Sequence, residues 1–126
     1  MELNGKKYKL VHAAPAELYE QYRIGFHNAI EFAVWKRWND YIPTPPGFVV
    51  IFGHTPTVEY HWRGEQLTIW KSEHVIDIDC GSGFSDEPDP WYHVQGRLVC
   101  LRLDDMKEFY STEITENNYN QGCEQE

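Results

Sequence analysis

The sequence predicts an α+β fold, in which a mixed, mostly antiparallel sheet accompanies one N-terminal helical segment. Apolar residues recur at every fourth position between Leu18 and Trp38, as they do along one face of a helix. About six short β-branched or alternating runs read as strands, and short turns join the later ones. With 126 residues, of which 41% are apolar, the chain is large enough for one core and is not a disordered sequence.

A hairpin is predicted at the N-terminus. Asn4-Gly5 separates the short run 1–3 from the longer run 6–11, and this dipeptide favours a tight hairpin turn because both residues must adopt positive φ. The arm before the turn has only three residues. We therefore expect that the chain begins partway through a larger fold; a ragged N-terminus with a short arm is the alternative.

The helical segment is defined by a stripe of apolar side chains that we expect to face the core. A spacing of four residues exceeds the helical repeat of 3.6, and Gly25 lies within the segment, so one bent helix and two shorter helices remain open. The stripe comprises Leu18, Tyr22, Phe26, Ile30, Val34 and Trp38.

The later strands follow a proline-rich loop. The run 48–52 is continuous and apolar, which is typical of a strand buried on both faces. Alternating runs predict one hairpin around Arg63-Gly64 and another around Asp104-Asp105. After the prolines, strands are predicted at residues 48–52, 58–62, 67–69, 75–79, 98–103 and 108–110.

Composition limits the classes of function. With 11 basic and 20 acidic residues the net charge is −9, which disfavours general binding to nucleic acid or anionic membranes. No apolar run approaches the roughly 20 residues of a membrane span, and three cysteines without CxxC spacing predict reduced thiols in a cytoplasmic protein. We expect one domain over residues 1–111 and a disordered polar tail over residues 112–126.

Two histidines share one sequence context. His12 follows the apolar run 9–11 and His54 follows the run 48–53, and small residues and proline come after each of them. Functional residues recur at the carboxyl ends of neighbouring strands, and a neutral imidazole is the commonest metal ligand. The pair is therefore a candidate metal site, with two unrelated histidines at strand ends as the alternative.

Five blocks around these histidines resemble, in order, those of the calcineurin-like metallophosphoesterases, in their bacterial serine/threonine phosphoprotein phosphatase branch. Each block has a counterpart in that family: VHAG, LWxR, GHTP, INIDTG and GRLTALRL. In this chain they are LVHA at 10–13, VWKR at 34–37, VIFGHTPT at 50–57, IDIDCG at 76–81 and GRLVCLRL at 96–103.

The resemblance implies a metal-dependent phosphatase. The domain would correspond to the C-terminal half of a four-layer metallophosphoesterase sandwich, with a divalent metal pair (Mn, Fe or Zn) in the complete enzyme and a metal-bound hydroxide that attacks phosphorus. By matching position, His12 and His54 would ligate the same metal ion, and Arg37 would contact the substrate phosphate. The substrate would be a phosphoprotein or a small phosphate ester.

The sequence also departs from the family. The earlier GDxHG, GDxxDRG and GNHE blocks, which supply the remaining ligands and the general acid, are absent, and Ala14 replaces a glycine. Two imidazoles alone should bind metal weakly or not at all, and we expect no useful turnover. The missing N-terminal half would then act in cis or in trans, and exposed strand edges predict a homodimer. The alternatives are a non-catalytic remnant or interaction module that keeps the fold, and an unrelated binding domain.

Overall fold

The computed structural model describes residues 1–37, 44–60, 67–84 and 95–111. Within these ranges a mixed five-stranded sheet has the order β1-β2-β3-β5-β4. Strands β2, β3 and β5 run parallel, whereas β1 and β4 pair antiparallel at the two edges. The predicted α+β class with a mixed sheet is confirmed. The strands are β1 (Glu2–Leu3), β2 (Lys6–Leu10), β3 (Phe48–Phe52), β4 (Trp70–Lys71) and β5 (Val75–Asp77).

The helical segment consists of two short helices, α1 (Tyr19–Tyr22) and α2 (Ala29–Trp35), preceded by a 3-10 turn at Ala16–Leu18. Gly25 separates the helices with a φ of 91°, a conformation that favours glycine. Asn28 begins α2, because its side-chain oxygen accepts the Glu31 backbone N–H at 2.8 Å. Of the two alternatives left open by the sequence, two shorter helices are therefore correct.

The predicted apolar stripe holds as far as Phe26, which packs against the core together with Leu18 and Tyr22, but it is wrong within α2. Ile30 is 78% exposed and Val34 is also exposed, whereas Phe32 is fully buried. The break between the helices rotates α2, so that a different set of positions faces the sheet. Trp38, the last member of the stripe, lies outside the described residues.

The sheet is covered on both faces. On one face, Leu18 and Phe32 of the helical segment pack against Val50, Phe52 and Val75. The other face buries Ile51 and Ile76 together with Leu67, Ile69 and Val58. A second antiparallel hairpin, β6 (Val99–Arg102) and β7 (Lys107–Tyr110), also packs there. Cover on both sides explains why β3 is apolar at every position.

Two of the three predicted hairpin turns lie in the described ranges, and both are present. Asn4 and Gly5 have φ of 53° and 78° between β1 and β2, and Asp104-Asp105 lies between β6 and β7. The predicted strand at 58–62 is wrong at its start, because Thr57–Glu59 forms a 3-10 turn after Pro56. The turn of the hairpin predicted around Arg63-Gly64 lies outside the described ranges, at residues 61–66. The predicted tail at residues 112–126 also lies outside them.

None of the helices in the described ranges has the length and apolar character that crossing a bilayer requires.

Candidate functional site

Three parallel strands end at one edge of the sheet, and each is followed by a residue that bears a metal-binding or acidic group. The register pairs Leu10 with Ile51 and Phe52 with Asp77, so β2, β3 and β5 finish side by side. Two positions beyond each strand come His12, His54 and Asp79, respectively. The carboxyl edge of a parallel sheet is where many α/β sites are built. Sequence reasoning paired the two histidines but missed Asp79, although the same offset from a strand end could have indicated it.

The structure brings His12 and His54 together. Their ring centroids are 5.2 Å apart and the ring planes are inclined by 49°. The backbone supports this approach, because the Gly53 N–H donates to the His12 carbonyl oxygen at 2.8 Å. Two side chains separated by 41 intervening residues in the sequence are thus neighbours through the parallel pairing of β2 and β3.

His54 occupies a strained backbone conformation. Its φ is 71°, in the left-handed region, which is uncommon for a residue with a side chain. Such a conformation costs roughly 1–2 kcal/mol, although histidine tolerates it better than most residues do. Strain of this kind is retained preferentially at functional sites, and here it accompanies the approach of the His54 ring to His12.

The surroundings of His54 favour its neutral imidazole. Partial burial lowers its pKa below the ordinary value, and electrostatic interactions with the neighbouring His12 ring and the Arg37 guanidinium act in the same direction. Two other interactions raise the pKa of His54 and offset this lowering only in part. One is a hydrogen bond to the backbone of Trp35, and the other is the electrostatic effect of the Asp79 carboxylate. The neutral ring is the form that binds a metal ion, and a backbone bond at one ring nitrogen orients the other.

Arg37 lies at the rim of the same site. Its Nη1 is 3.5 Å from Glu59 Oε1, and both side chains are substantially exposed. The charge of Arg37 contributes to the lowered pKa of His54, which places the guanidinium within electrostatic reach of the imidazole pair. The three residues that the sequence analysis selected, His12, His54 and Arg37, therefore belong to one region of the surface.

Asp77 lies beneath this edge as a fully buried acid. Its side chain is 0% exposed; Oδ1 accepts the Asp79 N–H at 2.9 Å, and Oδ2 has no hydrogen-bond partner among the described residues. Burial raises the pKa of Asp77 to about 8. Asp79 in turn accepts the Gly81 N–H with Oδ1 and the Thr57 N–H with its carbonyl. These bonds connect the loop after β5 to the loop that carries His54.

The donor set was tested against the metal pair that the resemblance implies. Two imidazoles supply nitrogen donors for one cation, and the hydrogen bond to His54 gives that ring the support that metal-binding histidines usually have. In the described part of the chain, no three His, Cys, Asp or Glu side chains converge closely enough to hold a metal ion. The described residues thus fit one half of a coordination shell rather than a complete one.

Other reactive candidates are weaker. Cys80 is buried, and desolvation raises the pKa of its thiol to about 12, so it is a poor nucleophile. His74 is exposed, and within the described ranges its ring forms an ion pair only with Glu73. His61 and His93 lie outside those ranges.

Comparisons with protein-family models, with curated proteins and with solved structures find no match for this chain. Function is therefore inferred from the resemblance of the five sequence blocks and from the geometry of the site.

Proposed function

We propose that this chain carries the histidine half of a divalent-metal phosphoesterase site, as the C-terminal portion of a serine/threonine phosphatase-like metallophosphoesterase. The observation that carries the proposal is the imidazole pair at the carboxyl ends of β2 and β3, with ring centroids 5.2 Å apart. Two histidines selected from sequence blocks far apart in the chain are neighbours in the fold, and a shared metal requires them to be neighbours.

In this proposal two residues bind the metal ion and one binds the substrate. His12 and His54 would hold one divalent cation of the Mn, Fe or Zn type. When bound, such a cation supplies Lewis acidity toward a phosphate ester. Arg37, always charged and at the rim, would bind two oxygens of the substrate phosphate. The substrate class is a phosphoprotein or a small phosphate ester.

The proposed site is completed by another polypeptide segment, in cis or in trans. That segment would supply carboxylate ligands and the acid that protonates the leaving group, because a third ligand is not found among the described residues. We therefore expect no useful hydrolysis by this chain alone. The same absence favours a second candidate, a non-catalytic module that retains the fold and the histidine pair without turnover.

Zinc binding tests the proposal. We expect weak binding of one Zn²⁺ ion per chain by calorimetry, because two imidazoles supply only part of a coordination shell. His12→Ala or His54→Ala should weaken this binding by at least about tenfold, since loss even of a supporting residue costs that much. His74→Ala is the matched control, because this exposed histidine lies outside the site. The titration is done at high salt to suppress adsorption of cations on the acidic surface.

Two results would contradict this expectation. Equal losses in all three variants would show that Zn²⁺ binds non-specifically, and unchanged affinity in the His12 and His54 variants would exclude the pair as ligands. Either result would leave the non-catalytic module as the better description of the chain.

The role of Arg37 predicts an effect of its ion-pair partner. Glu59→Gln should raise the affinity for inorganic phosphate by up to about fivefold, because an exposed ion pair is worth up to about 1 kcal/mol and the substitution releases the guanidinium. Glu20→Gln removes an exposed carboxylate beside Arg23, an ion pair that includes none of the three site residues, and should leave phosphate affinity unchanged. A phosphate titration followed by NMR measures both, and equal changes in the two variants would exclude a specific role for Arg37.

A further inference from the structure

Trp35, the last residue of α2, presents a large aromatic surface beside the histidine pair. Its side chain is 62% exposed, and its ring centroid lies 5.5 Å from that of His54 with the planes at 86°. The backbone of Trp35 also forms the hydrogen bond that orients the His54 ring. An exposed indole is thus held directly against a proposed metal ligand.

From this contact we propose that Trp35 forms a stacking subsite, and that the phosphate ester accepted here carries a planar aromatic group next to its phosphate. The inference rests on the proposed function of the site. Phosphate recognition and ring recognition must be adjacent, because the two groups of an aryl or nucleoside phosphate lie close in one small molecule. Arg37 and Trp35 satisfy this condition, since both act on the same His54 imidazole.

The exposure of Trp35 is distinct from the general apolar exposure of α2. Ile30, at 78% exposed, lies five residues earlier, which is about 140° around a helix of 3.6 residues per turn. The two side chains therefore leave α2 in different directions, Ile30 toward solvent and Trp35 toward the site. A protein partner that covered the Ile30 face would not explain the contact between Trp35 and His54.

Arg37 also favours an anionic aromatic ligand. Although the net charge of the chain is −9, the Arg37 guanidinium acts on the same His54 imidazole that the Trp35 ring contacts. An indole face stacks on any planar π-system, whereas an alkyl group in the same position gains only apolar contact. Phosphotyrosine and nucleoside monophosphates share the required chemistry and are the two sources to be distinguished.

The test compares two phosphonates of equal charge, phenylphosphonate and propylphosphonate, on the full ¹⁵N-labelled chain with Zn²⁺. The readout is the indole N–H resonance of Trp35, assigned by its loss in Trp35→Phe. We expect phenylphosphonate to bind at least about fivefold more tightly, the lower end of the effect of removing a stacking ring. The indole of Trp70, stacked on Tyr60 at 4.4 Å, is the internal control and should not shift.

Variants at position 35 distinguish aromatic stacking from simple apolar contact. Trp35→Leu should reduce the ratio of phenylphosphonate affinity to propylphosphonate affinity to about one, whereas Trp35→Phe should retain most of the preference. Phosphotyrosine and adenosine monophosphate are then titrated on the wild-type chain. Tighter binding of either one than of propylphosphonate supports the subsite, and the tighter of the two identifies the source of the ring.

The experiment distinguishes failure of the stacking subsite from failure of the proposed phosphate site. Equal affinity for the two phosphonates, or a phenyl preference that survives in Trp35→Leu, overturns the stacking subsite and leaves the phosphate site standing. If neither phosphonate binds the wild-type chain, the proposed phosphate site fails, and the subsite fails with it.

Discussion

Replacement of Gly96 by alanine is expected to destabilise the protein by at least about 3 kcal/mol, at the upper end of the range for overpacking. A Cβ atom at this position would lie 1.7 Å from the carbonyl oxygen of Gly81 and 2.4 Å from its carbonyl carbon. Both are backbone atoms, so no side chain can rotate away. The two segments would have to separate, and the contacts around them would be lost.

The affected contacts include those that shape the candidate site. Next to Gly96, the Arg97 N–H donates to the Cys80 carbonyl at 2.8 Å, and the buried Arg97 side chain donates through Nε to the Leu67 carbonyl at 2.7 Å. The Arg97 guanidinium also lies 3.7 Å from the centre of the Tyr110 ring. The segment around Gly96 therefore holds the loop after β5, and that loop carries Asp79. Loss of Zn²⁺ binding should accompany the loss of stability.

Gly83→Ala is the matched control for this substitution. A Cβ atom at Gly83 would meet nothing within 4 Å, so we expect a change of less than about 0.5 kcal/mol. Urea unfolding followed by circular dichroism measures both variants. A Gly96→Ala protein as stable as the wild type would show that these two backbones are further apart than the structure has them.

Replacement of Asp77 by asparagine is expected to stabilise the protein in alkaline buffer by a few kcal/mol, since one pKa unit corresponds to about 1.4 kcal/mol. Burial raises the pKa of Asp77 from 3.8 to about 8 in the folded state. At pH values between 3.8 and about 8, Asp77 keeps its proton in the folded state but has lost it in the unfolded state. The free energy of unfolding therefore falls as the pH rises through this window, and the penalty is complete above about pH 8.

Asparagine should remove this dependence without removing the hydrogen bond. Its side-chain oxygen can still accept the Asp79 N–H that Asp77 Oδ1 accepts at 2.9 Å. The variant should thus be more stable than the wild type at pH 9, with the advantage shrinking toward pH 4. Urea unfolding at pH 5, 7 and 9 measures the difference, in which titrations common to both proteins cancel.

Asp104→Asn is the control for this series. Asp104 is exposed in the turn between β6 and β7, and its link to Asn4 is made by its backbone carbonyl rather than by its carboxylate. We expect the free energy of unfolding of the Asp104→Asn variant to equal that of the wild type at each pH. If Asp77→Asn were less stable than the wild type at pH 9, the carboxylate would have a stabilising partner when ionised, and its burial as a neutral acid would be wrong.

Local features of the fold were predictable from the sequence because they depend on a few adjacent residues. Asn4-Gly5 specifies a tight turn by its tolerance of positive φ, and the apolar run that became β3 had to be buried on both faces. The same reasoning placed His12 and His54 just beyond strand ends, and the family resemblance assigned them to one metal. The sequence by itself therefore determined that each histidine comes just after a strand.

The tertiary structure decided how these local pieces meet. Phe32 rather than Ile30 became the buried residue of α2, because the break at Gly25 and packing on the sheet set the rotation of the helix. The parallel pairing of β3 with β5 brought Asp79 to the histidine edge and buried Asp77 beneath it. Strand order and helix rotation arise from contacts between segments distant in the chain. The periodicity of a single segment does not contain that information, so only the folded protein shows which side chains share the site.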